Sequence, residues 1–238
     1  MTSGLISVGK LHESLFNKLD NYIRAGISLF DINDFVTSYF IGNNICSIKN
    51  TQPVTINHNN IVYHGKPSSK ILKSGDLVTV DVCFNSRGFK IDGAKTYIIG
   101  DVESIAHKLV DVNRSAVKAV LKIIDVDTHV KDIISFLSEY VSIRGFFLFP
   151  SGLGHGIGDS LHEKPLLSLN DFSDFNYVFK VGDVFTIEPI IMLHKDDVKE
   201  NAIGEGISGI DNLSSQFEIT LYIRGKGDVV ILNNALIN

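Results

Sequence analysis

The sequence predicts an α+β body made of two related halves. Three observations carry this: a strand motif that occurs twice, a histidine turn that accompanies each copy, and helical apolar periodicity ahead of both. Residues 72–82 read LKSGDLVTVDV and residues 179–189 read FKVGDVFTIEP. Each copy is a Gly-Asp turn, an apolar strand and a carboxylate, Asp81 or Glu188. HGKP at His64 precedes the first copy and HEKP at His162 precedes the second, while DINDFVTSYF from Asp31 is echoed by DIISFLSEYV from Asp132. Halves facing each other across a pseudo-twofold axis would bring two carboxylates and two histidines into one cleft, a combination that suggests a metal site.

In the first half, Leu11, Leu15, Phe16, Leu19, Tyr22 and Ile23 recur at helical spacing until Ala25-Gly26 stops them. A second helix is expected from an N-cap at Asp31, with Ile32, Phe35, Val36 and Tyr39 as its apolar face. Residues 54–63 read as strand and HGKP as a turn. LVTVDVCF then alternates, turns at Arg87-Gly88 and returns as FKIDGAKTYII. The second half repeats the plan, with a helix through Ile105, Leu109, Val112, Ala116, Val120 and Ile123 and another from Asp132. Strands follow near 184–192 and 215–223, separated by a glycine-rich GEGISGID expected to be mobile. One domain over 1–238 is expected, with halves of about 1–102 and 103–238, because either half alone would expose an open sheet.

Composition narrows the function. With 238 residues and 44% hydrophobic content the chain can bury a substantial core. A net charge of −5 and the lack of a Lys/Arg run argue against a nucleic-acid surface held by phosphate contacts. No apolar run approaches the ~20 residues that cross a bilayer, and the N-terminus lacks the pattern of a secretory signal, so a soluble, cytoplasmic protein is expected. Cys46 and Cys83 are too few for a disulfide framework, which fits a reducing compartment.

The period of two in LVTVDVCF places Leu77, Thr79, Asp81 and Cys83 on one strand face. Asp92 lies across the hairpin from Asp81. Two close carboxylates repel, and a divalent cation is the usual resolution, although turn caps or lysine partners would account for this hairpin alone. The second half shifts that balance. FPSGLGHGIGDSLHEKP sets His155 between glycines and His162 seven residues on, and Glu188 and Glu218 close two strands. Asp81, Asp92, His155, Glu188 and Glu218 are therefore the candidate ligands. Four carboxylates, one imidazole and no thiolate make a hard site, suited to Mn, Fe(II) or Co rather than structural zinc, able to bridge two ions and to support hydrolysis. His107, His129 and His194 read as surface or satisfied core, His58 as part of a solvated loop, and Cys83 as a small packed residue.

The GHGIGxxxHExP string, the FTIEP and SSQFE strands and the VDV…IDG hairpin resemble methionine aminopeptidases of the short bacterial type I class, within the pita-bread metallopeptidase family M24. The resemblance covers nearly the whole chain. It implies a pita-bread fold with a central antiparallel sheet and helices on the outer face, and removal of the N-terminal methionine from nascent proteins. It further implies two divalent ions, Mn, Fe(II) or Co with Zn as a further candidate. Asp81 would hold one ion, His155 and Glu188 the other, and Asp92 and Glu218 would bridge them. A hydroxide between the ions would attack the first peptide bond, with Glu188 as proton acceptor. His162 would hydrogen-bond the substrate, and His64 would steady the tetrahedral intermediate or assist the leaving amine. The partners implied are N-terminal peptides, with the ribosome near its exit tunnel a candidate, and a monomer without nucleic-acid or membrane roles. Departures cluster around specificity: CSIKNTQPVT has no aromatic, the chain has no Trp, Gly93 follows Asp92 and Ile219 follows Glu218. A related aminopeptidase of other specificity, such as Xaa-Pro, and a non-enzymatic peptide-binding homologue remain as alternatives.

Overall fold

The computed structural model describes residues 2–238. Its first half runs α1 (Thr2–Tyr22), α2 (Leu29–Gly42), β1 (Val54–His58), β2 (Ile61–Tyr63), β3 (Leu77–Val82), β4 (Phe84–Ser86), β5 (Phe89–Ile91) and β6 (Ala94–Ile98). The second half runs α3 (Ser104–Val120), α4 (Val130–Ser142), β7 (Phe147–Leu148), β8 (Gly154–Gly156), β9 (Glu163–Leu167), β10 (Val184–Ile187) and β11 (Ile190–Met192). It continues through β12 (Lys199–Glu200), β13 (Gly206–Ile207), β14 (Ser214–Gln216), β15 (Ile219–Gly225) and β16 (Asp228–Ile231). All strand pairs are antiparallel. β3 lies between β1 and β6, and β10 lies between β8 and β15, so the strands carrying the two copies of the motif hold equivalent central places.

The helices bury most of the apolar faces that periodicity marked out, with Leu15, Phe16 and Leu19 of α1 and Leu109, Ala116 and Val117 of α3 fully buried, but Ile105 is exposed and Ile123 lies exposed beyond the end of α3. Two starts differ from expectation, and α4 begins at Val130 rather than at Asp132. α2 begins a turn earlier, at an N-cap Ser28, and Asp31 is the third helical residue. The Ser28 hydroxyl accepts from the Asp31 amide at 3.1 Å while the Asp31 carboxylate accepts from the Ser28 amide at 2.6 Å. This reciprocal capping box satisfies two free amides, which a lone Asp cap would not. The stretch 54–63 likewise divides into β1 and β2 at Asn59, which adopts φ 52.

Each long strand expected near the site is broken: at Cys83, at Asp92-Gly93, at Glu188-Pro189 and at Phe217-Glu218. A break inside a core strands backbone polar groups, and each left unpaired costs about 1–3 kcal/mol. Buried side chains answer the demand. His12 of α1 is fully buried and its Nε2 lies 2.8 Å from the Val82 carbonyl. A carbonyl only accepts, so Nε2 carries the proton. Asn113 of α3 donates to the Pro189 and Ser215 carbonyls, both at 2.8 Å, and accepts from the Phe217 amide at 2.9 Å. Val82 and Pro189 each directly follow a motif carboxylate, so α1 and α3 perform one task in the two halves.

The halves are joined by the same logic. The Thr96 hydroxyl accepts from the Gln216 amide and donates to the Gln216 carbonyl, both at 2.9 Å. Reciprocally, the Thr220 hydroxyl accepts from the Asp92 amide at 3.2 Å and donates to the Asp92 carbonyl at 2.7 Å. The Glu218 amide donates to the Ala94 carbonyl at 2.9 Å. Asp92 and Glu218 are thereby fixed at the seam.

The glycine-rich segment 204–211, expected to be mobile, is instead anchored. β13 pairs with both β12 and β2, and the Ser208 amide donates to the Asn60 carbonyl at 3.0 Å. Backbone pairing on two sides outweighs the freedom its glycines confer. Among the described residues no helix is long and apolar enough to cross a membrane.

Candidate metal centre

A cleft of about 510 Å³ opens at the seam, and all five residues named as candidate ligands line it, together with His64 and His162. Asp81 lies near the end of β3, where the facing Thr55 donates its hydroxyl to Oδ2 at 3.0 Å. Asp92 occupies the break before β6, with Oδ1 accepting from the Gly93 amide at 2.9 Å. His155 sits in β8, its Nδ1 2.9 Å from the Gly156 carbonyl. That carbonyl requires the proton on Nδ1, which leaves the Nε2 lone pair free for a cation. Nε2 lies 3.4 Å from Glu188 Oε1 and 3.8 Å from Asp92 Oδ2. Glu188 accepts from Thr186 Oγ1 at 3.2 Å and from Gln216 Nε2 at 3.3 Å. Glu218 Oε1 is buried without any hydrogen-bond partner. One ligand atom from each of Asp92, His155 and Glu218 lies within 4.8 Å of the others.

The electrostatics of the site favour a cation. Burial raises the pKa of all four carboxyls, and the charges of Asp81 and Glu188 push Asp92 up further. Glu188 reaches about 8, mainly through burial and then through Asp81. Burial drives His155 down to about 4, so its ring is neutral and able to ligate. Among the described residues, none lining the cleft is Lys or Arg. Mutually repelling acids, an orphaned carboxylate oxygen and a free imidazole nitrogen fit divalent metal.

The two remaining histidines flank this cage. The His162 ring stands nearly perpendicular to that of His155, centroids 4.4 Å apart, and burial together with the nearby His64 lowers its pKa. His64 adopts φ 57. Its turn is fixed by Asn57 Oδ1, which accepts from the Gly65 amide at 2.8 Å, and by Glu205 Oε1, which accepts from the Lys66 amide at 2.7 Å.

Sequence reasoning missed the side chains that support these residues, namely Thr55, Thr186 and Gln216, and the packing of Phe149 against Tyr63 in the cleft lining. Their centroids are 5.7 Å apart. His58 is not part of a solvated loop. It ends β1 with Nε2 3.1 Å from Asp76 Oδ2, both side chains largely buried. Cys83 packs with Ile48, Ile157 and Leu161, and burial raises its thiol pKa, as suits a packed residue.

The model of metallopeptidase family M24 matches residues 4–231. The chain belongs to that family. It is 27% identical over 227 residues to the methionine aminopeptidase of Escherichia coli K12, covering 92% of this chain and 86% of that one. The solved methionine aminopeptidase of Thermotoga maritima superposes with a TM-score of 0.90 at 25% identity, over 98% of this chain and 97% of that one. The prolidase of Pyrococcus furiosus shares the fold at a TM-score of 0.79 and 20% identity, but only 63% of its chain is covered. The fold is the pita-bread arrangement, and membership of a metallopeptidase family accords with the cage of acids.

Proposed function

We propose that this chain is a methionine aminopeptidase, a metal-dependent hydrolase that removes methionine from the N-termini of newly made proteins. The observation that carries the reading is the cage itself: four carboxyls and one neutral imidazole converge in a cleft whose lining, among the described residues, holds no Lys or Arg. Asp81, Asp92, His155, Glu188 and Glu218 would hold two divalent ions, Mn, Fe(II) or Co. Bound there, the ions supply charge neutralisation and acidify a water. Both halves contribute, so the chain acts as one domain. Glu188, with Thr186 and Gln216 orienting it, is the proton acceptor, and a free substrate amine is drawn to the acidic cage. His162 hydrogen-bonds the peptide beside His155, and His64, from its braced turn, steadies charge that develops on the reacting carbonyl. A complete ligand set argues against a non-enzymatic homologue. The nearer likeness to methionine aminopeptidases, with 27% identity to that of Escherichia coli K12 and a TM-score of 0.90 to that of Thermotoga maritima against 0.79 for the Pyrococcus prolidase, argues against Xaa-Pro specificity.

The test is release of the first residue from Met-Ala-Ser, Met-Gly-Met, Leu-Ala-Ser and Ala-Pro-Ala by protein reconstituted with Mn, Fe(II), Co or Zn. Cleavage after Met is expected, and His155→Ala is expected to abolish it. Preferred cleavage of Ala-Pro-Ala, or metal binding without any hydrolysis, would refute the reading.

A further inference from the structure

The cleft wall next to the cage is apolar. Ile190, two residues past Glu188, accepts at its carbonyl from the Phe149 amide at 2.9 Å. Tyr63 and Phe149 pack together over the small cluster of Val62, Ile190 and Met192. Tyr63 directly precedes His64, and the two rings meet edge to face with centroids 5.1 Å apart. Three features lock the Tyr63 ring. Phe149 bounds it on one side and His64 on another. Across the β2–β13 pair it lies against Gly206, its register partner, where a built Cβ would overlap the ring. All three nearest atoms to that Cβ belong to Tyr63, and Gly206 has no left-handed backbone that would itself demand glycine. The glycine is therefore a seat for the ring. The Tyr63 hydroxyl lies 3.5 Å from Glu200 Oε1, which tethers the outer end.

We propose that Tyr63, seated on Gly206, is the specificity-determining wall for the side chain of the substrate's first residue. The proposal rests on the aminopeptidase reading and deepens it. Tyr63, Phe149 and Ile190 line the same cleft as the five candidate ligands, so an N-terminal amine held at the cage puts the first side chain into the space that these residues help enclose. A long unbranched thioether fits such a site, because sulfur against an aromatic ring is favourable and Met adapts to irregular apolar surfaces. The missing aromatics of segment 46–55 and the missing Trp are thus replaced from β2, and Gly206 keeps the space that this replacement needs.

The test uses the metal-loaded full chain and reads both peptide hydrolysis and calorimetric binding of methioninamide against alaninamide. Tyr63→Ala is expected to reduce discrimination between Met-Ala-Ser and Ala-Ala-Ser at least about tenfold, the scale of losing one apolar contact. Tyr63→Phe should retain it. Gly206→Ala should lose discrimination when Tyr63 is present and have no further effect in the Tyr63→Ala background, where the overlap is gone. Metal affinity is expected to stay unchanged, and every variant is assayed below its own melting temperature, since Tyr63→Ala opens packing and Gly206→Ala crowds it. Undiminished discrimination in Tyr63→Ala, or additive effects in the double variant, would overturn the proposal. A wild-type chain that hydrolyses no peptide sinks the aminopeptidase reading instead, and the amide-binding arm still decides whether Tyr63 selects the side chain.

Discussion

His12 links an outer helix to the centre of the molecule, and its protonation should be visible in stability. The ring is fully buried, donates from Nε2 to Val82 at 2.8 Å and stacks on Phe16 at 4.9 Å. Its Nδ1 lies 3.4 Å from Asn233 Nδ2, an amide nitrogen that can only donate and also donates to the Asp92 carbonyl at 2.8 Å. Adding a proton to Nδ1 would set donor against donor in a desolvated site. Burial accordingly lowers the His12 pKa from 6.5 to about 4. The unfolded chain therefore binds a proton that the folded chain refuses, so stability falls as pH drops below 6.5 and stops falling below about 4. Integrating the linkage from about pH 7.5 to about pH 5 gives a loss of about 2 kcal/mol from this one group. The buried carboxyls act with the opposite sign. Their raised pKa values make the folded, metal-free chain gain stability on acidification, so the wild-type curve alone does not isolate His12. Urea unfolding of chelated protein, wild type against His12→Gln, does isolate it, because the carboxyl contribution is common to both. The stability gap is expected to close by about 2 kcal/mol in favour of the variant between the two pH values. A gap that is the same at both would refute the argument from burial and donor conflict.

The site's supporting bonds yield two more predictions. Thr55→Val removes the hydroxyl that orients Asp81 and should weaken metal affinity about tenfold, as loss of an orienting partner typically does, with Thr55→Ser close to wild type; calorimetric titration with Mn reads the difference. Glu205→Ala frees the Lys66 amide and loosens the His64 turn. It should lower peptide turnover about tenfold at unchanged metal affinity, whereas Glu205→Gln, which keeps the accepting oxygen, should restore most of it; an equal loss in both variants would assign the effect to charge instead.

The candidate ligands were legible because the chain repeats itself. A carboxylate ending an apolar strand once is ambiguous, but the same ending in a second copy, with His155 among glycines, leaves few structural uses. The strand breaks were only partly legible, since Gly93 and Pro189 are strand-breaking residues at two of them while LVTVDVCF stays apolar through Cys83 and SSQFE carries no such mark. The signal that could have revealed the others lay elsewhere, in His12 and Asn113. Each is a polar side chain on the buried face of an amphipathic helix, where it must have a backbone group to satisfy. Ser28 carried a readable signal too, because Ser followed three residues later by Asp marks a capping box. Tyr63 is readable as a neighbour on the approach to the His64 turn, but its seat on Gly206 was not legible, because only the pairing of β2 with β13 brings the two together.

The duplication also explains why the cage is chemically lopsided. Thr79 and Thr186 each stand two residues before a motif carboxylate, Asp81 or Glu188, and they face Thr96 and Thr220 in register. On the other side Thr79 faces Asn57 of β1. In β8 the antiparallel pairing of Phe185 with Gly156 puts His155 opposite Thr186, whose hydroxyl accepts from the His155 amide at 3.1 Å. Asn57 is therefore the counterpart of His155. Its carboxamide also lines the cleft, but it is engaged by the Gly65 amide and braces the His64 turn. One half spends this position on an imidazole whose Nε2 faces the acids, and the other spends it on holding a second imidazole in place. The result is one pole of mixed nitrogen and oxygen donors around His155 and Glu188, and one pole of oxygen around Asp81. A pseudo-symmetric scaffold with such unequal poles would bind two ions with unequal affinity, and the ion at the His155 pole would bind more tightly to any metal that favours imidazole.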